Sequence, residues 1–436
     1  MEQIRRCVGK VVGTDRVRPC DSDLIRDRAD SADRNAFAHR AHFEWSEVDD
    51  VQVFSDIHGD ARLLLRCLLE IGVISDAETL AWTGKRTLVV ICGDLIDDCR
   101  VHCANDRVNR DQPTRRMELG SEPGANEWEV LALLNVLVSK GARIVWVMGN
   151  HELMRMQETN GAGSAEQGRY QRHVTRAYEE KSVGVGAWKQ GSQEGTMSRL
   201  FGVPRCVVTV GDVVFLHADP VDVRGASGAR GDKKKKKKYA SARAYAEHVN
   251  GLVAKQRHRA FEQNSDLVWG RTLGNNLDEA KCDRVMPSHI DRATFVVRGH
   301  CIAGIARSKG ARGVTFRPPD GHERHERLGR LEQREQRAQN KRRARKPGDF
   351  VSSTDPSIKR VPGITFGCLR FDERKGGIVS GVARVDCGAS ASIRANEQMS
   401  VLSIKPTRHG AITLSHHSFN AGGGRGQTGL YTPALN

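Results

Sequence analysis

The chain has 436 residues, of which 38% are hydrophobic and 5% aromatic, and its formal net charge is +16. This length allows one large domain or two modest ones with a full core. No apolar run reaches the length of a membrane span. The eleven cysteines include no Cys-x-x-Cys pair, which argues against a structural zinc ribbon and against a disulfide scaffold. The composition therefore favours a globular protein with mostly reduced cysteines.

The positive charge is concentrated in two segments. Residues 233–238 are six consecutive lysines, and residues 322–346 contain ten Lys or Arg against four Glu. Such runs are typical of solvated insertions, which we place at 224–239 and 318–348. They can also bind nucleic acid or acidic partners, weakly and with a strong dependence on salt. They lack the aromatic residues that stack on single-stranded bases.

Predicted strands and helices alternate in the first half of the chain. Short apolar runs predict strands, and apolar residues at helical spacing predict helices. In chain order they are a strand at 51–54, a helix at 61–71, a strand at 88–91, a helix at 127–140 and a strand at 143–147. This alternation predicts an α/β layered fold.

The second half of the chain is richer in predicted strands. The runs 206–210 and 213–216 flank Gly211-Asp212, a strong signal for a tight β-hairpin. A further strand is predicted at 294–298. The runs 364–371 and 378–385 predict a closing antiparallel pair around a glycine-containing turn.

The domain boundaries follow from composition. Residues 1–49 are charged and unpatterned, so we expect a flexible arm. Residues 50–405 would form one domain that carries both basic insertions. Residues 406–436 are rich in Gly and Ser, and we expect a loose tail.

Five polar clusters lie at the ends of predicted strands. Carboxylate, amide and imidazole groups can bind two cations held a few Å apart, and ligands usually bind at the carboxyl ends of such strands. Any single cluster could be ordinary turn chemistry, but five in series predict a two-metal phosphoesterase site. The clusters are Ser55-Asp56-Ile57-His58-Gly59-Asp60, Gly93-Asp94-Leu95-Ile96-Asp97, Gly149-Asn150-His151-Glu152, His217 and Gly299-His300.

Taken together, these motifs resemble the calcineurin-like metallophosphoesterases. Within them they resemble the phosphoprotein phosphatase branch, and most of all the Shewanella-like phosphatases. The resemblance covers about residues 51–310 and resumes at about 361–404, where residues 384–390 are similar to the family's terminal strand segment. It implies a four-layer α-β-β-α sandwich of two mixed sheets with flanking helices. It also implies hydrolysis of phosphomonoesters, with protein phosphoserine or phosphothreonine as the expected substrate, by a hydroxide that bridges two metal ions.

The resemblance assigns the metal ligands. A bridging carboxylate would offset the charge of two close dications, and the mixed nitrogen and oxygen ligands suit Mn, Fe or Zn. By this assignment Asp56 and His58 bind the first metal and Asp94 bridges both. The second metal is completed by Asn150, His217 and His300.

The resemblance also assigns the proton donor. His151 corresponds to the general acid that protonates the leaving alkoxide, and Asp97 would orient its ring. A structural histidine and a turn cap are the respective alternatives. Asp60 could support His58 as a partner outside the metal's own ligands or cap the helix that follows.

The chain departs from the family pattern around the phosphate. Asp98 occupies a position where the family usually has an arginine that binds the substrate phosphate, so another cation would have to replace it. The candidates are Arg271, Arg100 and Arg155. Asp219 lies where the family tends to carry Gly, and it could change the rim of the pocket.

Ile302 bears on the choice of branch. Many nuclease and cyclic-nucleotide phosphodiesterase relatives have a Gly-His-x-His motif here, whereas this chain has Gly299-His300-Cys301-Ile302. The missing histidine favours the branch of protein phosphatases and dinucleotide polyphosphatases.

Two other functions stay open. One is a phosphoanhydride hydrolase acting on diadenosine polyphosphates or nucleotides. The other is a catalytically weak protein that binds partners through its basic segments, although the complete ligand set argues against it. The first residues lack the apolar stretch of a signal peptide, so we expect an intracellular, reducing compartment, either cytoplasm or nucleus.

Overall fold

The computed structural model describes the chain over 40–77, 79–96, 130–153 apart from 132, 135 and 139, 205–223 apart from 222, 238–256, 264–270, 289–290, 295–301, 350–351, 363–387, 398–420 and 427–431. Except for Lys238 and Tyr239, the two predicted basic insertions lie outside these residues, as does the arm up to residue 39.

Thirteen strands and three named helices make up the described part of the chain. The strands are β1 (His42–Phe43), β2 (Asp50–Phe54), β3 (Thr87–Ile91), β4 (Ile144–Trp146), β5 (Val207–Val210), β6 (Val213–Leu216), β7 (Phe295–Arg298), β8 (Phe350–Val351), β9 (Thr365–Asp372), β10 (Gly377–Arg384), β11 (Gln398–Pro406), β12 (Ile412–Asn420) and β13 (Gln427–Tyr431). The helices are α1 (Ala61–Glu70), α2 (Ala242–Gln256) and α3 (Asp266–Trp269). The described residues within 130–138 are also helical.

The strands form a large mixed sheet, which confirms the predicted α/β class. Hydrogen-bonded neighbours follow the order β1-β5-β6-β7-β10-β12-β11-β2-β3-β4, with β13 beside β12, β9 beside β10 and β8 beside β9. The pairs β2–β3, β3–β4, β6–β7, β7–β10 and β1–β5 are parallel. The predicted hairpin of β5 and β6 and the predicted antiparallel pair of β9 and β10 are confirmed.

The division into two sheets stays a prediction. The two halves of the strand path meet between β10 and β12, where Ile378 and Ile412 are the paired residues. By contrast, β11 and β12 pair along their whole length, from Gln398 with Asn420 to Pro406 with Ile412. A four-layer sandwich would place these two halves in separate sheets. Here the short pairing of β10 with β12 connects them into one hydrogen-bonded sheet.

The strands β3 and β6 are buried on both faces. In β3, Leu88 and Val90 belong to a central apolar cluster, whereas Val89 and Ile91 pack in a second cluster with α1. The strand β6 alternates in the same way between the central cluster and a third cluster that contains residues of α2. This pattern follows from the two-residue period of a strand and explains why the strands read as continuous apolar runs.

Helix α1 begins directly after the first polar cluster. Asp60 accepts a hydrogen bond from the backbone N–H of Leu63 at 3.0 Å, so it acts as the N-cap, one of the two roles expected for it. Leu64 and Leu68 are fully buried against the sheet. The cap and the buried face fix the start of the helix next to His58.

Parts of both predicted flexible ends belong to the sheet. Within the expected arm, β1 pairs in parallel with β5. Within the expected tail, β12 lies between β10 and β11, and β13 pairs with β12. The prediction of a loose tail is therefore wrong over 412–420 and 427–431. The alternation of apolar and polar residues that predicts a strand is interrupted in β12, because His416 occupies a buried position where an apolar residue would be expected.

Five described cysteines behave as predicted, as buried free thiols: Cys67, Cys92, Cys206, Cys301 and Cys387. Cys368 departs from this expectation because it is disulfide-bonded. In the part of the chain that the structure describes, no helix combines the length and apolarity needed to cross a membrane.

Candidate metal centre

Five strand ends bring the predicted ligands together at one edge of the sheet. The loops after β2, β3 and β4 carry Asp56 with His58, Asp94 and Asn150, while β6 and β7 end next to His217 and His300. These strands are parallel within each group, so their carboxyl ends face the same way. All six side chains are buried, with exposed fractions between 0% and 7%.

The backbone turns sharply at four of these ligands. Asp56, His58, Asp94 and His300 have φ values of 58°, 47°, 51° and 63°. Residues other than glycine rarely adopt this left-handed conformation, which costs about 1–3 kcal/mol and is concentrated at functional sites. The occurrence of this conformation at four predicted ligands indicates that the rest of the fold stabilises a strained backbone at this site.

Two glycines allow the ligand loops to approach each other. Gly93 has a φ of 88°, and a Cβ there would lie 2.6 Å from Nδ1 of His217. A Cβ on Gly149 would overlap Oδ1 of Asp94. A side chain at either position would separate the loops that carry the predicted ligands.

Asp94 lies between two groups of potential ligand atoms. Its Oδ2 is 3.8 Å from Nε2 of His58 and 3.5 Å from Nε2 of His217. His58 Nε2 is also 3.7 Å from Oδ1 of Asp56. Atoms that bind one metal ion at about 2.1 Å lie roughly 3–4 Å from each other. Asp94 therefore belongs to two groups of side chains, each of which could hold a metal ion.

The imidazole rings are oriented by backbone carbonyls. Nδ1 of His217 is 2.7 Å from the Cys92 oxygen, and Nδ1 of His58 is 3.3 Å from the Ile96 oxygen. A hydrogen bond donated by Nδ1 leaves the Nε2 lone pair for a metal. Nε2 of His217 lies 2.9 Å from Oδ1 of Asn150, so both potential ligand atoms face the same point.

The electrostatics of the site favour bound cations. Burial raises the pKa of Asp56 well above its usual value, and the nearby charges of Asp386 and Asp94 raise it further. Burial lowers the pKa of His217 well below its usual value, and the charge of His300 lowers it further. Close carboxylates and neutral imidazoles form a donor set that a dication would stabilise.

Comparison with known proteins agrees with this geometry. The family model of the calcineurin-like phosphoesterases matches residues 51–300, which is more than half of the chain. The chain belongs to the calcineurin-like phosphoesterase family. The match covers the five strand ends that carry the predicted ligands.

Two solved structures illustrate how distant the individual relatives of this phosphoesterase are. A cold-active protein-tyrosine phosphatase of a psychrophilic Shewanella species aligns with a TM-score of 0.46 and 12% identity, over 90% of this chain and 82% of the other. A Saccharomyces cerevisiae protein serine/threonine phosphatase, described as similar to human phosphatase PP5, aligns with a TM-score of 0.37 and 11% identity, over 88% and 83%. No curated protein matches the sequence. Likeness at this level does not identify a substrate.

His151 of this phosphoesterase lies at the metal centre. Its Nε2 is 3.7 Å from Oδ2 of Asp94, and its backbone N–H donates to Oδ1 of the same residue at 3.0 Å. Its ring meets the ring of His58 edge-on, with centroids 4.8 Å apart. This position suits the predicted general acid, but it also suits a metal ligand, because His151 forms a ligand group with His58 and Asp94.

Several predicted residues lie outside the described part of the chain. They are Asp97, Asp98, Arg100, Arg155 and Arg271. The orienting role of Asp97 and the choice among the three arginines therefore stay predictions. Asp219, expected at the pocket rim, is instead buried and paired with Arg298.

Glu152 has a supporting role that the sequence alone did not indicate. Its carboxylate accepts hydrogen bonds from the backbone N–H groups of Gly149 at 2.7 Å, Asp94 at 3.1 Å, Leu95 at 2.7 Å and Ile96 at 3.2 Å. These bonds join the loop that follows β3 to the loop that follows β4. The pKa of Glu152 is raised, because the effect of burial exceeds that of the backbone donors, which lower it.

Asp386 is a second acidic residue that sequence reasoning did not select. It is 2% exposed and lies just after β10, next to the parallel strand β7. Its charge acts on Asp56. An acidic residue at the end of an apolar strand is the same signal that identified the five clusters, so this residue could have been found in the same way.

Proposed function

We propose that this phosphoesterase is a two-metal phosphomonoesterase that acts on phosphoserine or phosphothreonine in proteins. One observation carries the proposal: the Asp94 carboxylate is shared by two groups of buried ligand atoms, one with His58 and one with His217 and His300. Members of the same family share the phosphoesterase class, and the resemblance of the motifs to phosphoprotein phosphatases supports the substrate.

The residues present fit two metal ions. Asp56, His58 and Asp94 would hold one ion, and Asp94 with Asn150, His217 and His300 would hold the other, and Mn, Fe or Zn would suit these mixed ligands. When bound, such ions supply Lewis-acid stabilisation of phosphoryl oxygens and lower the pKa of bound water to about 7 in favourable cases.

The other residues of the site would bind phosphate and move a proton. His151 would carry a proton on its ring and give it to the alkoxide oxygen of the leaving serine or threonine. Asp97 would keep that ring oriented. One of Arg271, Arg100 and Arg155 would bind the phosphate, since Asp98 repels it and a guanidinium matches two phosphate oxygens.

The absence of a second histidine at Ile302 supports a phosphatase rather than a nuclease of this family. It does not separate phosphoproteins from dinucleotide polyphosphates. For that reason a phosphoanhydride hydrolase and a binding protein that uses its basic segments are the outcomes against which the proposal is tested. Association of those segments with nucleic acid or acidic partners remains a separate prediction.

Asp94→Asn is the decisive variant. We expect Mn²⁺-dependent hydrolysis of an aryl phosphate by the purified protein, and a loss in the variant larger than the roughly 10–100-fold drop that follows removal of a partner outside the metal's own ligands. Asp372→Asn makes the same chemical change at the half-buried end of β9, next to an exposed turn, and it should keep full activity.

The substrate is then tested directly. A phosphoserine peptide and diadenosine tetraphosphate are compared at equal concentration, and the proposal expects a higher kcat/KM for the peptide. Preference for the dinucleotide would replace it with the anhydride hydrolase. Metal binding without turnover on either compound would favour the binding protein.

A further inference from the structure

A buried ion pair next to the metal centre has no place in the proposed mechanism. Arg298 is fully buried and directly precedes Gly299 and His300. Asp219 is 5% exposed and follows the ligand His217 by two residues. The guanidinium Nη1 of Arg298 donates to Oδ1 of Asp219. The pair therefore joins the two strand ends that present the imidazole ligands of the second metal.

The same guanidinium holds a third segment. Its Nη2 donates to the backbone oxygen of Gly270 at 2.9 Å, at the end of α3, and lies 3.5 Å from Sγ of Cys301. Its Nε donates to the oxygen of Gly299 at 3.4 Å. On the other side, the backbone N–H of Asp219 donates to the oxygen of Asp266 at 3.0 Å. Two of these bonds, from Arg298 to Gly270 and from Asp219 to Asp266, thus tie α3 to both ligand loops.

The end of α3 is also packed against these loops. A Cβ on Gly270 would lie 2.6 Å from Cβ of Asp219, so the helix end has no free space there. The ring of Trp269 meets the ring of His300 nearly at right angles, with centroids 6.0 Å apart. A shift of Gly270 would therefore also move Trp269, whose ring lies next to the ring of His300.

Burying two charges is unfavourable unless their contacts are complete. An apolar pair of similar volume would fill this space without that penalty, but it would give no directional contact to Gly270 or Gly299. The ion pair therefore differs from an apolar pair mainly in the geometry that it imposes.

We propose that Arg298 and Asp219 are positioning residues that hold His217, His300 and Trp269 in place for the second metal ion. The inference rests on the proposed two-metal function. Neither residue is assigned to the metals or the reacting atoms; both act through the ligands that they hold. Among the described contacts, the first site meets this segment through the backbone N–H of His300, which donates to Asp56 at 3.1 Å. Because the side chains of Arg298 and Asp219 have no described contact with Asp56 or His58, we expect the first site to keep its affinity.

Metal stoichiometry tests this assignment. Mn²⁺ binding to the metal-free protein is measured by equilibrium dialysis, and paired Mn²⁺ ions are detected by their coupled electron paramagnetic resonance signal. The variants are Asp219→Asn, which keeps the shape, and the double substitution Asp219→Leu with Arg298→Met, which leaves no unpaired charge. Tyr245→Phe is the matched control, because it removes a buried hydroxyl that bonds the backbone of Val221, two residues after Asp219, and leaves the ion pair with Arg298 intact.

The wild type should bind two Mn²⁺ ions. In both pair variants one ion should bind as in the wild type, the other should bind about 10–100-fold more weakly, and the coupled signal should fade. Tyr245→Phe should behave as the wild type. Two unchanged affinities in the folded double variant, or equal weakening of both sites, would overturn the inference. A wild type that binds no Mn²⁺, Fe²⁺ or Zn²⁺ would overturn the proposed function itself, before any variant is compared.

Discussion

At the scale of single residues, hydrogen bonds hold several of the predicted ligand residues in place. His217 and His58 are oriented through the Cys92 and Ile96 carbonyls, and the backbone of Asp94 is held by Glu152. Such supporting contacts decide how closely a metal ligand set approaches its working geometry. Two substitutions separate direct roles in the reaction from supporting ones.

His151→Gln distinguishes a general acid from a metal ligand. We expect metal binding to be unchanged and kcat on an alkyl phosphate to fall by about 10²–10⁴-fold, because the leaving alkoxide then lacks its proton donor. On p-nitrophenyl phosphate, whose leaving group needs no proton, the fall should be much smaller. Steady-state kinetics with both substrates and metal dialysis check this result. Loss of a metal ion in the variant would instead show that His151 is a ligand.

Glu152→Gln tests the connection between two ligand loops. One carboxylate oxygen accepts from Leu95 and Ile96 and the other from Asp94 and Gly149. An amide replaces one of these acceptors, so two buried N–H groups lose their partner, and the free energy of unfolding should fall by at least about 2 kcal/mol. Urea unfolding of the metal-free protein measures this change. Glu247→Gln, in an exposed pair with Arg243, is the control and should leave the midpoint in place. An unchanged midpoint for Glu152→Gln would refute the supporting role.

At the scale of elements, the short strand β1 extends the sheet beside β5, and an ion pair closes the loop that follows it. Arg40 donates to the two carboxylate oxygens of Glu47 at 2.8 and 2.7 Å, and this hydrogen bonding lowers the pKa of Glu47 to about 2. Both side chains are more than a third exposed, at 39% and 37%, so solvent screens the pair. The pair should therefore contribute modestly and in a pH-dependent way.

Glu47→Gln gives the pH dependence. Because the pKa in the folded state lies below the usual value of 4.5, the stabilisation is complete above about pH 4.5 and is lost as the pH falls toward 2. At pH 7 the variant should be less stable by under about 1 kcal/mol, and the difference should shrink as the pH falls from about 4.5 to about 2. Chemical unfolding at several pH values checks this trend. A difference that does not change with pH would exclude the ion pair as its source.

At the scale of the whole molecule, the end of the chain completes the middle of the sheet. The strand β12 pairs with β11 along nine residues and touches β10, so it joins the two halves of the strand path. Its removal would leave two open strand edges in the interior of the sheet, and unpaired strand edges promote aggregation. Residues 412–420 are therefore part of the sheet that carries the candidate metal centre.

Truncation after Pro406 should abolish cooperative folding and yield aggregated protein. Ser415→Pro tests the same point within the full chain, because Ser415 lies in β12 between β11 and β13, where proline removes a ladder hydrogen bond of β12. Arg408→Pro is the control. It occupies the second position of the 407–410 turn, where proline is favoured, and the protein should stay folded. Circular dichroism and gel filtration measure both outcomes, and a monomeric, folded Ser415→Pro protein would contradict the central role of β12.

The sequence by itself predicted the candidate ligand residues and the strands that the structure places before them, because side-chain chemistry and strand periodicity are both local properties. The turn at Gly211-Asp212 and helix α1 were predicted for the same reason. Only the tertiary structure decided which strand ends meet, since His300 approaches Asp56 across 244 residues. The links made by Glu152 and by Arg298 with Asp219, and the central place of β12, were likewise not predictable. They arise from hydrogen bonds between segments far apart in the chain, and no periodicity within a single segment records such partners.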